Sequence, residues 1–209
     1  RTTAFFEPAL DYLVCKFPRW DLGKFHGAST RIGSEMKSVG EVMAIGRTFA
    51  EVIQKAVRML DIGVHGLDPG AFEFDDLRDQ LRNATPLRIF AIAQAIRDGI
   101  GIDAIHELTR IDRWFLRAIE PVVEMHGRLA RSALPLSADL LRDVKRLGFS
   151  DQAAGKLVGT PAETIRAARK AHGIESRFAQ LDTMAGAFPA DPNYLYSTYH
   201  ADDSDVAPS

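Results

Sequence analysis

The stretch that decides the fold class is Met36-Lys37-Ser38-Val39-Gly40-Glu41-Val42-Met43-Ala44-Ile45-Gly46-Arg47-Thr48. Its apolar centre lies between two glycines and predicts a short strand over Glu41–Ile45. A helix is predicted to follow, because Thr48 can cap it and Glu51 stands three residues later, as in a capping box. The apolar residues of that helix recur at helical spacing, at Phe49, Val52, Ile53, Ala56 and Leu60.

An earlier strand is predicted within residues 5–20, around the apolar run Tyr12-Leu13-Val14-Cys15. We expect Pro18 to end the regular pairing of this strand, because proline has no N–H to donate. Two strands and one helix are too few for a domain of their own. Residues 1–62 are therefore interpreted as the tail of a larger α/β domain, and the glycine- and proline-rich residues 61–70 as the boundary.

From about residue 75 onward the pattern predicts helices throughout, so the expected fold class is mainly α. Capping residues or Thr-Pro pairs predict the helix starts, and glycines predict several of the ends. Pro121 falls inside the helix that begins after Asp112, and we expect it to kink or split that helix. The predicted starts are at Thr85-Pro86, Ile102, Asp112, Ser137, Ser150 and Thr160-Pro161, and the glycine stops are at Gly99, Gly148 and Gly173.

The helical part contains a possible internal repeat at an offset of 49 positions, which aligns Gly99 with Gly148 and Leu116 with Ile165. Chance matches between small apolar residues are the alternative explanation. The acidic segment 201–209 has little apolar surface to bury and is predicted to be a mobile linker.

Composition bounds the class of protein. The 209 residues are 46% hydrophobic and 26% charged, with a net charge of −2, so no basic field favours nucleic acid or an anionic membrane surface. No apolar run approaches the roughly 20 residues that span a bilayer. The single cysteine, Cys15, excludes an intrachain disulfide and fits a reducing compartment. We expect a cytoplasmic protein, with an organelle as the open alternative.

No pattern predicts a catalytic, cofactor-binding or metal-binding residue. Gly40 and Gly46 lack the Gly-Lys-Ser/Thr ending of a phosphate-binding loop, and the six histidines lack the short spacing of zinc ligands. His106-Glu107 is a possible general-base pair, but a solvated helix face is the preferred interpretation. Cys15 is interpreted as a small core residue.

Several separated motifs resemble one family in the right order, and the resemblance covers nearly the whole chain. Besides the opening stretch, the motifs are Phe6-Glu7-Pro8-Ala9-Leu10-Asp11-Tyr12, Lys16-Phe17-Pro18-Arg19-Trp20-Asp21, Leu108-Thr109-Arg110-Ile111-Asp112-Arg113-Trp114-Phe115-Leu116, Leu147-Gly148-Phe149-Ser150-Asp151 and Tyr194-Leu195-Tyr196-Ser197-Thr198-Tyr199. They resemble the carbamoyl-phosphate synthase large chain. The resemblance implies that residues 1–62 end the first ATP-grasp (carboxyphosphate) domain. It also implies that residues 63–200 form the all-helical oligomerisation domain.

The resemblance implies a parent ligase that makes carbamoyl phosphate from bicarbonate, ammonia and two ATP, for arginine and pyrimidine synthesis. That parent uses ATP, Mg²⁺ and K⁺, and takes ammonia from a glutamine amidotransferase small subunit or domain. The family's nucleotide and metal residues have no counterparts here, so we expect this segment alone to be non-catalytic. Its implied partners are the adjoining ATP-grasp and allosteric domains and further copies of itself.

Two sets of residues acquire candidate roles. The resemblance places Met36 and Glu41 along the tunnel through which carbamate passes. A flexible methionine suits an apolar tunnel wall that excludes water. A structural ion pair between Lys37 and Glu41 is the alternative. Arg110, Arg113 and Trp114 are candidate interface residues, because arginine and aromatic side chains are favoured at interface centres. For Trp114 itself a core position is preferred over an interface position.

A helix-turn-helix DNA-binding regulator is the rival interpretation, based on residues 148–173, where Arg166, Arg169 and Lys170 could reach phosphates. The net charge and Glu163 argue against it. A stand-alone enzyme is a third possibility, which the lack of a convergent titratable cluster disfavours. The sequence departs from the family pattern at Ala187, where a glutamate is usual, and at Pro121.

Overall fold

The structure, a computed structural model, describes residues 9–29, 31–37, 40–185 and 194–206. The first three residues of the motif that begins at Phe6, and the departure from the family pattern at Ala187, lie outside these ranges. Within them the elements are, in chain order, β1 (Leu13–Arg19), β2 (Gly40–Gly46), α1 (Phe49–Met59), α2 (Leu77–Arg82), α3 (Arg88–Arg97), α4 (Ile102–Thr109), α5 (Arg113–Ala130), α6 (Ala138–Arg146), α7 (Asp151–Val158), α8 (Ala162–Ala171), β3 (Arg177–Gln180) and β4 (Leu195–Thr198).

The first sheet is an antiparallel pair of β1 and β2, with Leu13 opposite Gly46 and Arg19 opposite Gly40. Pro18 lies inside this ladder, opposite Glu41, so the prediction that it ends the pairing is wrong. Within the described residues each strand of the pair has one free edge, and a proline on an edge strand is tolerated there. The predicted second strand is confirmed as β2.

Helix α1 begins as predicted, since the Thr48 side chain accepts a hydrogen bond from the Glu51 N–H at 3.3 Å. The return bond differs from a standard capping box. The Glu51 carboxylate accepts from the Arg47 N–H at 2.8 Å, one residue before the cap. The apolar face of α1 is buried at Val52, Ile53 and Ala56, as the helical spacing predicts.

The later helices follow their capping residues closely. Asp112, Ser137 and Ser150 each accept a hydrogen bond from the first turn of the helix that they precede. Helix α5 runs unbroken through Pro121, so the predicted split does not occur. A proline removes one helical hydrogen bond, and residues buried on both sides of it hold α5 in the core, at Leu116, Ile119, Val122, Val123 and Met125.

The prediction of helices throughout the C-terminal part is wrong for its last segment, where β3 and β4 pair antiparallel. Burial alternates along β4, since Tyr196 and Thr198 are buried while Leu195 and Ser197 are exposed, which is the two-residue period of a strand. Within the predicted linker, Asp205 bonds to β3: its N–H donates to the Phe178 carbonyl at 2.8 Å. This part of the segment is therefore held against β3.

One hydrophobic core runs through the described residues. It includes Ala50 and Val57 of α1 together with residues of α3 to α8, so it crosses the boundary predicted at residue 62. The division into two domains stays a prediction. The fold class is confirmed as mainly α with a small α/β portion. Among the described residues, no helix combines the length and apolar character needed to cross a bilayer.

The predicted repeat is present in the backbone. Helices α4 and α7 begin and end 49 positions apart, and α5 and α8 begin 49 positions apart. The residues that end α4 and α7, Arg110 and Gly159, both adopt left-handed conformations, with φ of 60° and 71°. Upstream, α3 and α6 end at Gly99 and Gly148, with φ of 81° and 85°. The helical part is thus built from two units with one backbone plan.

The two equivalent glycines allow a matched test. A Cβ at Gly148 would lie 2.9 Å from the Gln54 Cβ and 3.0 Å from the Glu51 Cα, whereas a Cβ at Gly99 would meet nothing within 4 Å. We expect Gly99→Ala to cost about 1–2 kcal/mol, because alanine disfavours positive φ. Gly148→Ala should cost about 1–3 kcal/mol more, because α1 must shift as well. Urea denaturation measures both, and equal losses would contradict the close approach.

Candidate functional site

The most buried charge links α1 to β4. The Glu51 side chain is 2% exposed. Its Oε2 accepts hydrogen bonds from the Arg47 N–H at 2.8 Å and from the Thr198 hydroxyl at 3.1 Å, and its Oε1 lies 2.8 Å from Lys55 Nζ. A buried carboxylate is stable only when it is paired and hydrogen-bonded, and this one takes its partners from both ends of the described chain.

Lys55 and Arg47 continue this connection. Lys55 Nζ donates to the Ile45 carbonyl at 2.8 Å and to the Ser197 carbonyl at 2.5 Å, which joins β2 to β4. Arg47 Nε lies 3.3 Å from the Tyr196 hydroxyl. We call Arg47, Glu51, Lys55, Tyr196 and Thr198 the junction cluster. It fixes β2, α1 and β4 to one another.

A second ionic cluster joins α6, α7 and α8. Lys145 is 5% exposed, and its Nζ donates to the Phe149 carbonyl at 2.7 Å and to Asp151 at 2.8 Å. Arg169 Nε lies 3.0 Å from the other oxygen of Asp151. The Tyr199 ring lies 5.1 Å from Lys145 Nζ and 5.9 Å from the Arg169 guanidinium, within cation–π range. We call Lys145, Asp151 and Arg169 the triad cluster.

The pKa values of the triad cluster reflect two opposing effects. Burial lowers the pKa of Lys145, because it disfavours the ammonium more than Asp151 stabilises it. Burial also opposes ionisation of Asp151, but hydrogen bonds and attraction from Lys145 and Arg169 outweigh it and lower the pKa of this carboxyl. Asp151 therefore carries its negative charge at neutral pH, between two cations.

The sequence analysis missed most of both clusters. Glu51 was predicted only as a cap, and Arg169 only as a phosphate contact in the DNA-binding interpretation. That interpretation is weakened, because Arg169 is 11% exposed and held by Asp151, while Arg166 and Lys170 alone stay exposed. A buried partner far along the chain leaves no local pattern, so the pairing of Glu51 with Thr198 had no sequence signal.

The candidate interface residues lie around the start of α5. Arg113 pairs with Asp103 and so joins α5 to α4, while Arg110 pairs at 3.0 Å with Glu107 of its own helix. The preferred core position of Trp114 is wrong, since this side chain is 56% exposed. It stands two positions before buried Leu116, which places it roughly 200° around α5, on the opposite face.

Trp114 belongs to an exposed aromatic patch. Its ring packs edge-on against Phe49, with centroids 5.6 Å apart, and against Phe115, at 5.0 Å. Phe115 and Phe49 also line an apolar groove of about 310 Å³ between β1, α1, α3 and α5. We call Phe49, Trp114 and Phe115 the aromatic patch. It combines a large apolar area with flanking arginines, which is typical of interface centres.

The tunnel candidates lie at the start of β2. Met36 is 94% exposed, in the loop before the strand. Glu41 pairs across the sheet with Lys16 at 3.0 Å, and Lys37 pairs with Glu35 at 3.3 Å. The alternative of an ion pair between Lys37 and Glu41 is therefore wrong. The tunnel role of Met36 and Glu41 stays a prediction.

The other residues weighed from the sequence have structural partners. His106 Nδ1 lies 2.8 Å from the Ile111 carbonyl, and Glu107 pairs with Arg110. Cys15 is half-buried, and burial raises the pKa of its thiol, which disfavours a reactive thiolate. Within the described ranges, no group of three or more His, Cys, Asp or Glu side chains is arranged to hold a metal ion.

Comparison with known proteins identifies what the chain resembles. A family model described as carbamoyl-phosphate synthetase large chain, oligomerisation domain, matches residues 41–173. Multifunctional protein pyr1-3 of Dictyostelium discoideum is 46% identical over 209 residues, covering 99% of this chain and 9% of that protein. The mitochondrial, arginine-specific carbamoyl phosphate synthase large chain of Neurospora crassa is 46% identical over 208 residues, covering 98% of this chain and 18% of that protein.

A third relative gives the same result. The carbamoyl phosphate synthase large chain of Hyperthermus butylicus is 46% identical over 214 residues, covering 98% of this chain and 20% of that protein. The chain thus spans between 9% and 20% of the length of these three relatives. The family match includes the whole of α7 and α8, the helices on which the DNA-binding interpretation rests.

The junction cluster can be tested by removing its central carboxylate. We expect Glu51→Ala to lower the free energy of unfolding by about 3–5 kcal/mol, because Lys55 would keep a largely buried charge without its carboxylate. Glu107→Ala is the matched control, since its ion pair is exposed and worth about 0–1 kcal/mol. Urea denaturation of both variants measures the difference. Equal losses would show that the cluster does not hold α1 to the sheets.

Proposed function

Because the chain belongs to the carbamoyl-phosphate synthase large-chain family and matches its oligomerisation domain, we propose that it is an association and scaffolding segment of such an enzyme. The observation that carries the proposal is the family match over residues 41–173, which takes in α1 and every helix after it. The aromatic patch offers the apolar surface that association requires.

For the whole protein we propose the activity named in its relatives, the synthesis of carbamoyl phosphate. The reaction would use bicarbonate, two ATP and ammonia released from glutamine by an amidotransferase small subunit or domain. Relatives named as arginine-specific, and one named pyr1-3, support product use in arginine or pyrimidine synthesis. A cytoplasmic location is proposed, and relatives named as mitochondrial support an organelle as the alternative.

ATP, Mg²⁺ and K⁺ are proposed for the parent protein, but the described residues do not fit a magnesium–nucleotide site. Their buried carboxylates, Glu51 and Asp151, are already held by cationic side chains. We therefore place no step of nucleotide or metal chemistry on these residues. Their proposed share is to hold adjoining ATP-grasp and allosteric domains in register and to bind further copies of the chain.

The scaffold role would depend on stiffness. The junction cluster fixes the α/β tail, and the triad cluster fixes the last two helices to α6. Buried ionic contacts hold one geometry, because any displacement exposes an unpaired charge to an apolar surrounding. Rigid ends would transmit the position of one neighbouring domain to the next.

Self-association of the chain is the first test. Sedimentation velocity from roughly 1 to 100 µM spans weak to moderate association. We expect concentration-dependent dimers or larger species, and Trp114→Ala should weaken association by roughly tenfold or more, as truncation of an interface aromatic commonly does. Phe25→Ala is the matched control, since Phe25 is an exposed aromatic residue outside the helical part. A monomer at every concentration, or equal association of both variants, would contradict this interface.

The tunnel role of Met36 and Glu41 is a separate proposal, supported by the family membership and by the position of Glu41 in β2 and of Met36 before that strand. In the full-length enzyme, Met36→Trp should lower overall carbamoyl-phosphate synthesis, because the indole would narrow the passage. ATP hydrolysis driven by bicarbonate alone should change little. Met59→Trp is the control, as an exposed methionine at the end of α1. Unchanged overall synthesis in Met36→Trp would sink the proposal.

A further inference from the structure

A polar pocket lies between the two ionic clusters. It has a volume of about 290 Å³ and lies between α1, the turn from α6 to α7, and β4. The side chains of Lys55, Arg58 and Lys145 reach it, and two serines with hydroxyl groups, Ser176 and Ser197, complete its wall. No catalytic residue is assigned to this pocket above, and the proposed scaffold role does not depend on it.

The pocket carries an excess of positive charge. Three cations line it, Lys55, Arg58 and Lys145, against the two carboxylates Glu51 and Asp151, which leaves an excess of one positive charge. Both carboxylates are paired with cations, Glu51 with Lys55 and Asp151 with Lys145 and Arg169, although the contact of Glu51 Oε1 with Lys55 lacks hydrogen-bond geometry. Glu175 acts on Tyr199 electrostatically but does not line the pocket.

Arg58 is the cation of the pocket wall that neither carboxylate pairs with at ion-pair distance in the described residues. Among the described residues its guanidinium makes one hydrogen bond, a long one of 3.4 Å to the Gly148 carbonyl. A guanidinium has five N–H donors, so most of those of Arg58 have no protein acceptor there. The side chain is nevertheless half-buried, which separates it from the freely solvated arginines of the surface. A partly buried cation with spare donors needs an anion.

We propose that this pocket binds a small oxyanion of the phosphate class, with Arg58 as its principal ligand. The planar guanidinium presents paired N–H donors that match two oxygens of a phosphate group. The excess of positive charge among the lining side chains favours an anion. Ser176 and Ser197 can donate hydroxyl hydrogens to further oxygens. The site is unrelated to a phosphate-binding loop, since the donors are side chains and not successive backbone N–H groups.

A purely structural cation network is the competing explanation, and the pairing pattern argues against it. Lys55, Lys145 and Arg169 each have close acceptors from the protein, between 2.5 and 3.1 Å. Arg58 lies on the same pocket wall without a comparable partner in the described part of the chain. A network that served stability alone would not include a half-buried guanidinium with one weak bond.

The test is titration of the full chain with inorganic phosphate by calorimetry, at constant ionic strength maintained with chloride. We expect saturable binding, with Arg58→Gln weakening it by roughly tenfold or more, because a hydrogen-bonded charged ligand group is lost. Arg166→Gln is the matched control, since Arg166 is an exposed arginine on α8 outside the pocket. Circular dichroism checks that each variant is folded.

If Arg58→Gln does not fold, Arg58→Lys replaces it, because it keeps the charge but loses the paired donors, and it should also bind phosphate more weakly. Titration with a phosphate monoester distinguishes free phosphate from a phosphorylated metabolite, and tighter binding of either supports the site. Absence of phosphate binding would overturn the proposal. Equal weakening of phosphate binding in Arg58→Gln and Arg166→Gln would also overturn it. Binding of acetate or succinate as tight as that of phosphate would do so too, because it would indicate a carboxylate site.

Discussion

The buried carboxylate of Glu51 is the contact on which the arrangement of the α/β tail depends. Its two oxygens meet a backbone N–H from the end of β2, a hydroxyl from β4 and the ammonium of Lys55. A charge at 2% exposure is costly unless each of these partners is in place. The carboxylate therefore selects one relative position of α1, β2 and β4, rather than adding a general attraction between them.

The helical part meets this contact through a single glycine. Gly148 ends α6, and its backbone approaches α1 so closely that an added Cβ would come within 3.0 Å of the Glu51 Cα. The equivalent glycine of the first unit, Gly99, has open space around it. Both glycines serve the same helix stop, but the second unit also uses its turn as a packing surface. The repeated backbone plan thus serves different purposes in the two units.

Local rules explain what the sequence could predict. The caps at Thr48, Asp112, Ser137 and Ser150 place the starts of α1, α5, α6 and α7, because a side chain satisfies N–H groups within three residues of itself. The general preference of tryptophan for the core fails at Trp114, because its position two residues before buried Leu116 turns it roughly 200° away from the core.

The errors at the two sheets, and the missed clusters, have a common cause. The strands β3 and β4 are four residues each, too short to show a clear alternation beside a helical region. Their pairing depends on partners far away, such as Tyr196 with Arg47 and Thr198 with Glu51. The candidate interface residues Arg113 and Trp114 could be identified from the sequence, because they are neighbours in the chain at the start of α5. The junction cluster could not, since its hydrogen-bonded residues are up to 149 positions apart.

The same long-range contacts bear on how a scaffold of this kind would act. Strand β2 lies near the beginning of the chain and β4 near its end, yet Lys55 bonds to carbonyls of both. The start and the end of the described chain therefore meet at one junction, which is the arrangement that the proposed scaffold role needs. A flexible linker would allow adjoining domains to move independently, whereas a unit whose ends meet on a buried ion pair restrains them. The sheet of β1 and β2 also exposes apolar side chains, at Leu13, Val14 and Met43, and exposed apolar surface is typical of interaction sites. Stiffness at the junction and apolar surface beside it are the two properties that holding adjoining domains in register requires.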